Sequence, residues 1–412
     1  MRERSRLWVA LAALSVAATG LSTTAAAQSS AAPVAGWQDG FFLQSPDGEY
    51  RLAIGALGQF DGRFALDDPS VVTNTFAVRR FRPTLSGRLT RLFDFKVMPE
   101  LAGGGATVLD AYLDVRVASW MRIRTGKDKV PVGYEWLTGD AFLLFPERSL
   151  ATTLVPNRDV GVQAIGEAVG GRVVYGVGVF NGVPDGATAD SDSNAGKDLA
   201  GRFVVQPWRG SDAPAGLRGL GFHLGWSTGR EDGTVPTYRS SLGQTIFTYE
   251  TGTAERGRRV HVAPTAFLYD GPVGLFAEFV RSSHEVARRA DTLSTTVAHH
   301  GWNLTASVVT TGEDASDRGV RPSANFDPRR GSWGAFQILM RYSAVSFDDR
   351  AFSAQLASST SSQSARAFGV GANWYANPFI KYYVMFERTA FEGGSSAKPA
   401  EHALQIRAQL AF

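Results

Sequence analysis

Apolar and polar residues alternate along most of this chain. Between Tyr50 and Phe64, one face carries Tyr50, Leu52, Ile54, Ala56, Phe60 and Phe64, and the other carries Arg51, Gln59, Asp61 and Arg63. Phe81, Pro83, Leu85 and Leu89 oppose Arg80, Arg82, Thr84, Ser86 and Arg88 in the same way. At the end of the chain Leu404, Ile406, Ala408, Leu410 and Phe412 oppose Gln405, Arg407 and Gln409. A period of two marks strands whose faces meet different surroundings. The pattern predicts sixteen strands: 50–64, 75–90, 92–102, 107–117, 119–128, 159–168, 171–181, 198–208, 217–228, 257–268, 271–284, 294–310, 332–346, 363–375, 378–390 and 401–412. Helical periodicity is scarce.

Alternation also suits a soluble β-sandwich, so other features must choose. The segments reach the ~9–11 residues that cross a bilayer obliquely, and sandwich strands are usually shorter. The polar face carries charge on strand after strand, which a packed sandwich core could not accept. The count is even, as in bacterial single-chain outer-membrane barrels. The expectation is an all-β fold, a closed antiparallel transmembrane β-barrel of about 16 strands over residues 50–412. With both chain ends in the periplasm, the connections near Thr90–Arg91, Ala118, Val169–Gly170, Tyr269–Asp270 and Asn377 become short inner turns. The stretches 65–74, 129–158, 182–197, 229–256, 347–362 and 391–400 become long outer loops. Thr311–Gly331 disagrees: it is long and falls on the short side. It is either a large inner turn or a sign of a miscounted strand.

Composition narrows the class. The chain has 412 residues, 44% hydrophobic, without a run of the ~18 apolar residues that a helical span requires. It has no Cys, hence no disulfide framework and no thiolate-bound metal. Lys+Arg 42 against Asp+Glu 39 gives no signature of a nucleic-acid partner. Residues 1–27 read as a secretory signal peptide: Arg2, Arg4 and Arg6, then apolar Leu7 to Ala18, then the small residues Ala25–Ala27. Residues 28–49 become a periplasmic N-terminal segment. The expected location is the bacterial outer membrane, in contact with its lipid.

Motifs for chemistry are weak. Gly225-Trp226-Ser227-Thr228-Gly229 matches G-x-S-x-G, which requires a strand feeding a helix, and no amphipathic helix follows. His284-Glu285 begins a zinc-protease pattern, but Arg288 stands where the second His belongs. His299 and His300 are adjacent and face opposite sides of a strand. No catalytic residue, metal site or cofactor is assigned. An outer-membrane lipase using Ser227 stays as the enzymatic alternative.

The basic face is the stronger signal. Arg51, Arg63, Arg80, Arg82, Arg88, Lys96, Arg116, Arg122 and Arg124 are set against Asp61, Asp94, Glu100, Asp110, Asp114 and Asp128. Unpaired arginines in a narrow pore would hold oxyanions through their planar fork. Cross-strand pairing into a neutral ladder is equally compatible with the pattern. The 129–158 loop is unusually apolar, with Val130, Val132, Tyr134, Trp136, Leu137 and Phe142 to Phe145. Folding it inward against the wall would hide that surface and narrow the pore, with Lys127, Lys129, Arg148 and Arg158 at its roots and flank. Packing on a neighbouring subunit is the alternative.

Gly126-Lys127-Asp128-Lys129-Val130-Pro131-Val132-Gly133, Phe145-Pro146-Glu147-Arg148-Ser149-Leu150 and Val155 to Gln163 resemble the fifth strand, constriction loop and following strand of the phosphate-selective porin O and P family. Arg79-Arg80-Phe81-Arg82 with Phe93-Asp94-Phe95-Lys96, and Asn373 to Pro378, also resemble it. The resemblance implies a sixteen-stranded barrel, usually a homotrimer, with an inward loop after strand five. It implies anion-binding positions at Arg79, Arg80, Lys127, Lys129 and the neighbouring Asp110. With Arg82, Arg122, Arg124, Arg148 and Arg158 these make up the expected pore lining. The expected function is passive diffusion of small solutes, anion-preferring, with phosphate or similar oxyanions as cargo. A non-selective porin is the other channel reading.

Overall fold

The computed structural model describes residues 32–67, 73–192, 194–210, 213–214, 216–288, 294–395 and 398–412. The expected signal peptide lies outside the described residues. Sixteen antiparallel strands, one for each alternating segment, close into a barrel: Tyr50–Ala65, Thr75–Leu89, Phe93–Glu100, Thr107–Ala118, Met121–Lys129, Arg158–Ala168, Val173–Phe180, Asp198–Val205, Gly221–Thr234, Thr253–Asp270, Val273–Arg288, Thr295–Val309, Ala335–Ser346, Ser364–Tyr375, Ile380–Glu392 and Glu401–Ala411. They are called strands one to sixteen below. Each pairs with its chain neighbour, and strand sixteen closes onto strand one through Ala403↔Ala65 to Ala411↔Leu57. Closure gives every barrel strand a neighbour on both sides, which a lipid-facing sheet requires.

The faces divide as the alternation dictates. Phe60, Phe81, Leu85 and Ile338 stay exposed on the outer surface, while Gln59, Asp61, Arg80 and Arg407 are buried inside. An outward apolar band with a polar interior is the arrangement of a membrane barrel. Phe336, Trp374 and Tyr382 stack in a row at the short-turn end, with Trp374–Tyr382 centroids 5.1 Å apart. Such a girdle suits the headgroup level.

Short turns collect at one end, and the longer loops at the other. Segment 310–334 lies at the short-turn end: Ala315 N–H donates to Gly271 O and Val309 N–H to Pro272 O. It is therefore a large turn, and the strand count stands. Ala315 and Val320 bury against Val309, Ala335 and Tyr375.

Two short hairpins escape the alternation reading. Val34–Trp37 pairs with Phe41–Gln44, which continues onto strand one through Phe41↔Ile54 to Gln44↔Arg51. This hairpin takes up the edge of strand one where strand sixteen has ended. Trp37 packs on the Phe412 ring, with centroids 5.4 Å apart. The second hairpin, Thr237–Arg239 with Thr245–Thr248, sits in the loop after strand nine.

The interior holds an apolar core. Val132, Leu150, Ala151, Leu154 and Val155 of the loop after strand five pack against Ala200, Ala263, Val280, Val297 and Val345 on the wall, and against Tyr238, Ile246 and Phe247 of the second hairpin. The loop lies flush on the wall. A Cβ at Gly225 would sit 1.7 Å from the Val132 carbonyl, and one at Gly301 would sit 2.8 Å from Ala151 Cα. Both positions need glycine for close approach. The inward fold of this loop is as expected, and the seat is drier than a charged lumen suggested.

Candidate functional site: a constriction loop held by arginines

The loop begins with the helical turn Tyr134–Leu137 and continues through tight turns at Asp140–Phe142 and Leu150–Leu154. Its apolar side chains turn to the wall, and its Asp140 and Glu147 carboxylates turn to the arginines of strands one, two and sixteen. Glu147 receives Arg63 (3.1 Å), Arg79 (2.7 Å), Arg80 (3.1 Å) and Arg407 (2.9 Å). Asp140 receives Arg82 (2.5 Å), Arg148 (2.7 Å) and Arg80 (3.4 Å). Burial by itself would push both carboxyls up. Around Asp140, Arg148, Arg80 and Arg82 outweigh it; around Glu147, Arg80, Arg79 and Arg407 do. Both loop carboxyls are held well below the ordinary carboxylate range.

Arg79 reaches this cluster because of a local irregularity. Gln59 pairs with Arg80 but Phe60 pairs with Val78, so Arg79 is one residue extra in strand two. A β-bulge turns two successive side chains inward. Strict alternation would send Arg79 into lipid.

The other cations hold loop carbonyls. Lys129 Nζ donates to Trp136 O (2.6 Å) and Thr138 O (3.0 Å), and Lys381 Nζ to Leu143 O (2.8 Å). Arg341 donates to Glu147 O (2.8 Å), and Arg407 to Pro146 O. Among the remaining candidates, Arg158 pairs with Asp110 (2.7 Å) and Arg124 with Asp114 (2.7 Å) and Asp128. Arg122 lies 3.7 Å from Asp114. Lys127 turns to Asp190 (2.5 Å) of the loop after strand seven. Much of the basic face is thus paired.

A cavity of about 850 Å³ opens between the loop and the short-turn end. Of the candidates, Arg82, Asp110, Arg124, Lys129 and Arg158 line it. Lys96, Arg202, Arg318, Arg321 and Lys381 also face it, opposite the carboxylates Asp39, Asp110, Asp128 and Asp140. Cations outnumber carboxylates on this surface. Arg202, on strand eight, makes no hydrogen bond or ion pair within the described residues. It alternates between Gly201 and Phe203 and carried no motif, so its inward position in strand eight was its only signal. Asp317 of segment 310–334 accepts from Tyr134 Oη (3.2 Å), which ties the turn to the loop.

Ser227, the serine of the G-x-S-x-G match, sits in strand nine beside His261 Nδ1 (2.7 Å), and His261 Nε2 meets Asp185 (2.6 Å). The three residue types are those of a nucleophilic triad. All three are sealed inside, with Ser227 only 1% exposed. The chain stays in strand conformation through Thr234, so the strand-to-helix turn that lifts such a serine is lacking. Gly225 of the motif serves the close approach of the loop.

Solved outer-membrane proteins share the fold at low identity. The trimer form of OmpT from Vibrio cholerae is 12% identical, covers 88% of this chain and 99% of its own, and superposes with a TM-score of 0.54. OmpF of Salmonella typhi is 11% identical over 92% of this chain and 100% of its own, with a TM-score of 0.53. OprB of Pseudomonas putida is 10% identical over 89% and 95%, with a TM-score of 0.51. No curated protein matches the sequence. The phosphate-selective porin O and P family matches residues 53–412, nearly the whole barrel, and so this chain, with its sixteen strands and inward loop, belongs to that family of outer-membrane porins.

Proposed function

We propose that this porin passes small anions by passive diffusion across the outer membrane, with phosphate and similar oxyanions as its cargo. The excess of cations over carboxylates on the 850 Å³ cavity carries the reading, and Arg202, without a carboxylate partner, is its centre. Fixed charge on a narrow wall concentrates counter-ions and repels co-ions. The arginines around Glu147 and Asp140 shape the opening and are already paired with carboxylates, as is Lys96 with Asp110 (2.7 Å), so Arg202, Arg318 and Lys381 set the preference. Signal-directed export through residues 1–27 and a homotrimer complete the proposal. The trimer form of the similar OmpT supports the assembly.

Planar-bilayer recordings under a KCl gradient test it. The reversal potential should lie on the chloride side, and added phosphate should reduce the chloride current. A cation-side potential overturns the anion preference. A chloride current unaffected by phosphate removes phosphate as a bound cargo.

A further inference from the structure

Behind the apolar seat of the loop, at the long-loop end, lies a second polar cluster. Asp185 comes from the connection after strand seven, His261 from strand ten and His284 from strand eleven. All are at least nine-tenths buried. Both histidines aim Nε2 at the two oxygens of Asp185, at 2.6 Å and 3.2 Å. The three ligand-capable atoms lie within 4.8 Å of one another. Each histidine has its other nitrogen engaged from behind: His261 Nδ1 faces Ser227 Oγ at 2.7 Å, and His284 Nδ1 faces Glu255 Oε1 at 2.8 Å.

Proton counting exposes a deficit. A neutral imidazole has one N–H. If His284 donates to Asp185 through Nε2, its Nδ1 lone pair points at a carboxylate oxygen, and that contact is repulsive. His284 Nδ1 and Glu255 Oε1 nevertheless stand 2.8 Å apart, which requires a proton on Nδ1; with Nε2 also facing Asp185, the ring carries either a second proton or a cation at Nε2. Charge tells the same story. Glu255, Asp198 and Glu231 share the guanidinium of Arg259 (3.1, 2.8 and 3.3 Å), and among the described residues Asp185 faces the imidazoles of His261 and His284 and the hydroxyls of Tyr238 and Ser282. Buried carboxylates left without a cation are costly.

We infer that Asp185, His261 and His284 form a metal site for a divalent first-row transition ion of the zinc class. With a cation on the Nε2 atoms and the Asp185 carboxylate, both Nδ1 atoms become N–H donors. His261 then donates to Ser227, and His284 to Glu255. Metal-bound histidines characteristically present their second nitrogen to such a partner. Two imidazoles and a carboxylate suit zinc and its neighbours, whose ligands stand about 3.3 Å apart at bonds of ~2.0–2.1 Å. Asp185 carries the loop after strand seven, so the ion would clip that loop to the wall of strands ten and eleven. This inference is independent of anion selectivity.

The test uses the full, tag-free protein, stripped with chelator, refolded in detergent with zinc chloride and passed through gel filtration. Elemental analysis should find about one zinc per chain, and His300→Gln, outside the cluster, should match. His261→Gln and His284→Gln should retain under a tenth of that amount. Glu255→Gln, the mildest change, should weaken zinc binding about 10–100-fold. It keeps the inference testable if the histidine variants fail to fold. Wild-type protein without zinc, or His284→Gln and Glu255→Gln variants that bind as the wild type does, overturns the site.

Discussion

Around Glu147, four guanidiniums converge on one carboxylate; around Arg259, three carboxylates converge on one guanidinium. Both clusters are buried in the same barrel, yet they put opposite charge in surplus. The first sits where a loop enters the pore, and its surplus of cations is offset by Asp140 of the loop and by Asp61 of strand one. The second sits under a long-end loop, where Arg259 is shared among three carboxylates and the imidazoles of His261 and His284 face Asp185 and Glu255. The difference teaches where a foreign ion is needed. Chain segments satisfy the arginine side, whereas a metal ion would satisfy the Asp185 side.

Breaking the arginine side should have the largest effect. Glu147→Gln strands several buried cations, and removing one partner of a buried ion pair costs about 3–5 kcal/mol. Thermal unfolding in detergent should show the loss, and single-channel conductance should rise as the loop loosens. A variant with wild-type stability and conductance would mean that Glu147 does not hold the loop.

Arg202→Glu tests the cavity with no loop anchor removed. A charge within ~8 Å of a passing ion is worth about 0.5–2 kcal/mol at effective dielectric constants between 80 and 20. The chloride-to-potassium permeability ratio should fall several-fold at unchanged melting temperature. Ser227→Ala probes the Asp185 side. It removes a hydrogen bond to His261, worth about 0.5–1.5 kcal/mol. Stability should drop by that amount, and ester hydrolysis should be nil in both proteins. Turnover by wild-type protein that the variant lacks would restore the enzymatic reading.

The smallest expected effect is on pH. Asp140 and Glu147 have depressed carboxyl pKa values in the folded protein. Their stabilisation is complete above the ordinary range near 4 and is lost only as pH falls through the lowered values. Conductance should therefore be flat from pH 7 to pH 5. A step in that window would place the loop's anchorage elsewhere.

The barrel was legible because lipid and lumen enforce a period of two over hundreds of residues. The 34–44 and 237–248 hairpins were not, since strands of three or four residues carry too little pattern. Strands nine and ten run past their expected ends to Thr234 and back to Thr253, where they leave the lipid and the alternation loses its cause. At the site, residue types were readable and partners were not. Nothing in the order of residues says that Glu147 would fill the space among Arg63, Arg79, Arg80 and Arg407. The metal cluster draws on positions 185, 261 and 284, and local spacing cannot register such a set. Local spacing sets His284 only against Arg288, four residues on, while its partners come from the neighbouring strand and a distant loop.

The seam between strands one and sixteen joins Gln59 to Gln409 across 350 residues. Contacts of such separation enclose nearly the entire chain, and their closure entropy is met in one event. The contact between Trp37 and Phe412, the last residue, exists only once that event is complete. In a chain whose other tryptophans are replaced by phenylalanine, Trp37 would be an optical reporter of the barrel shutting, separate from the formation of its hairpins.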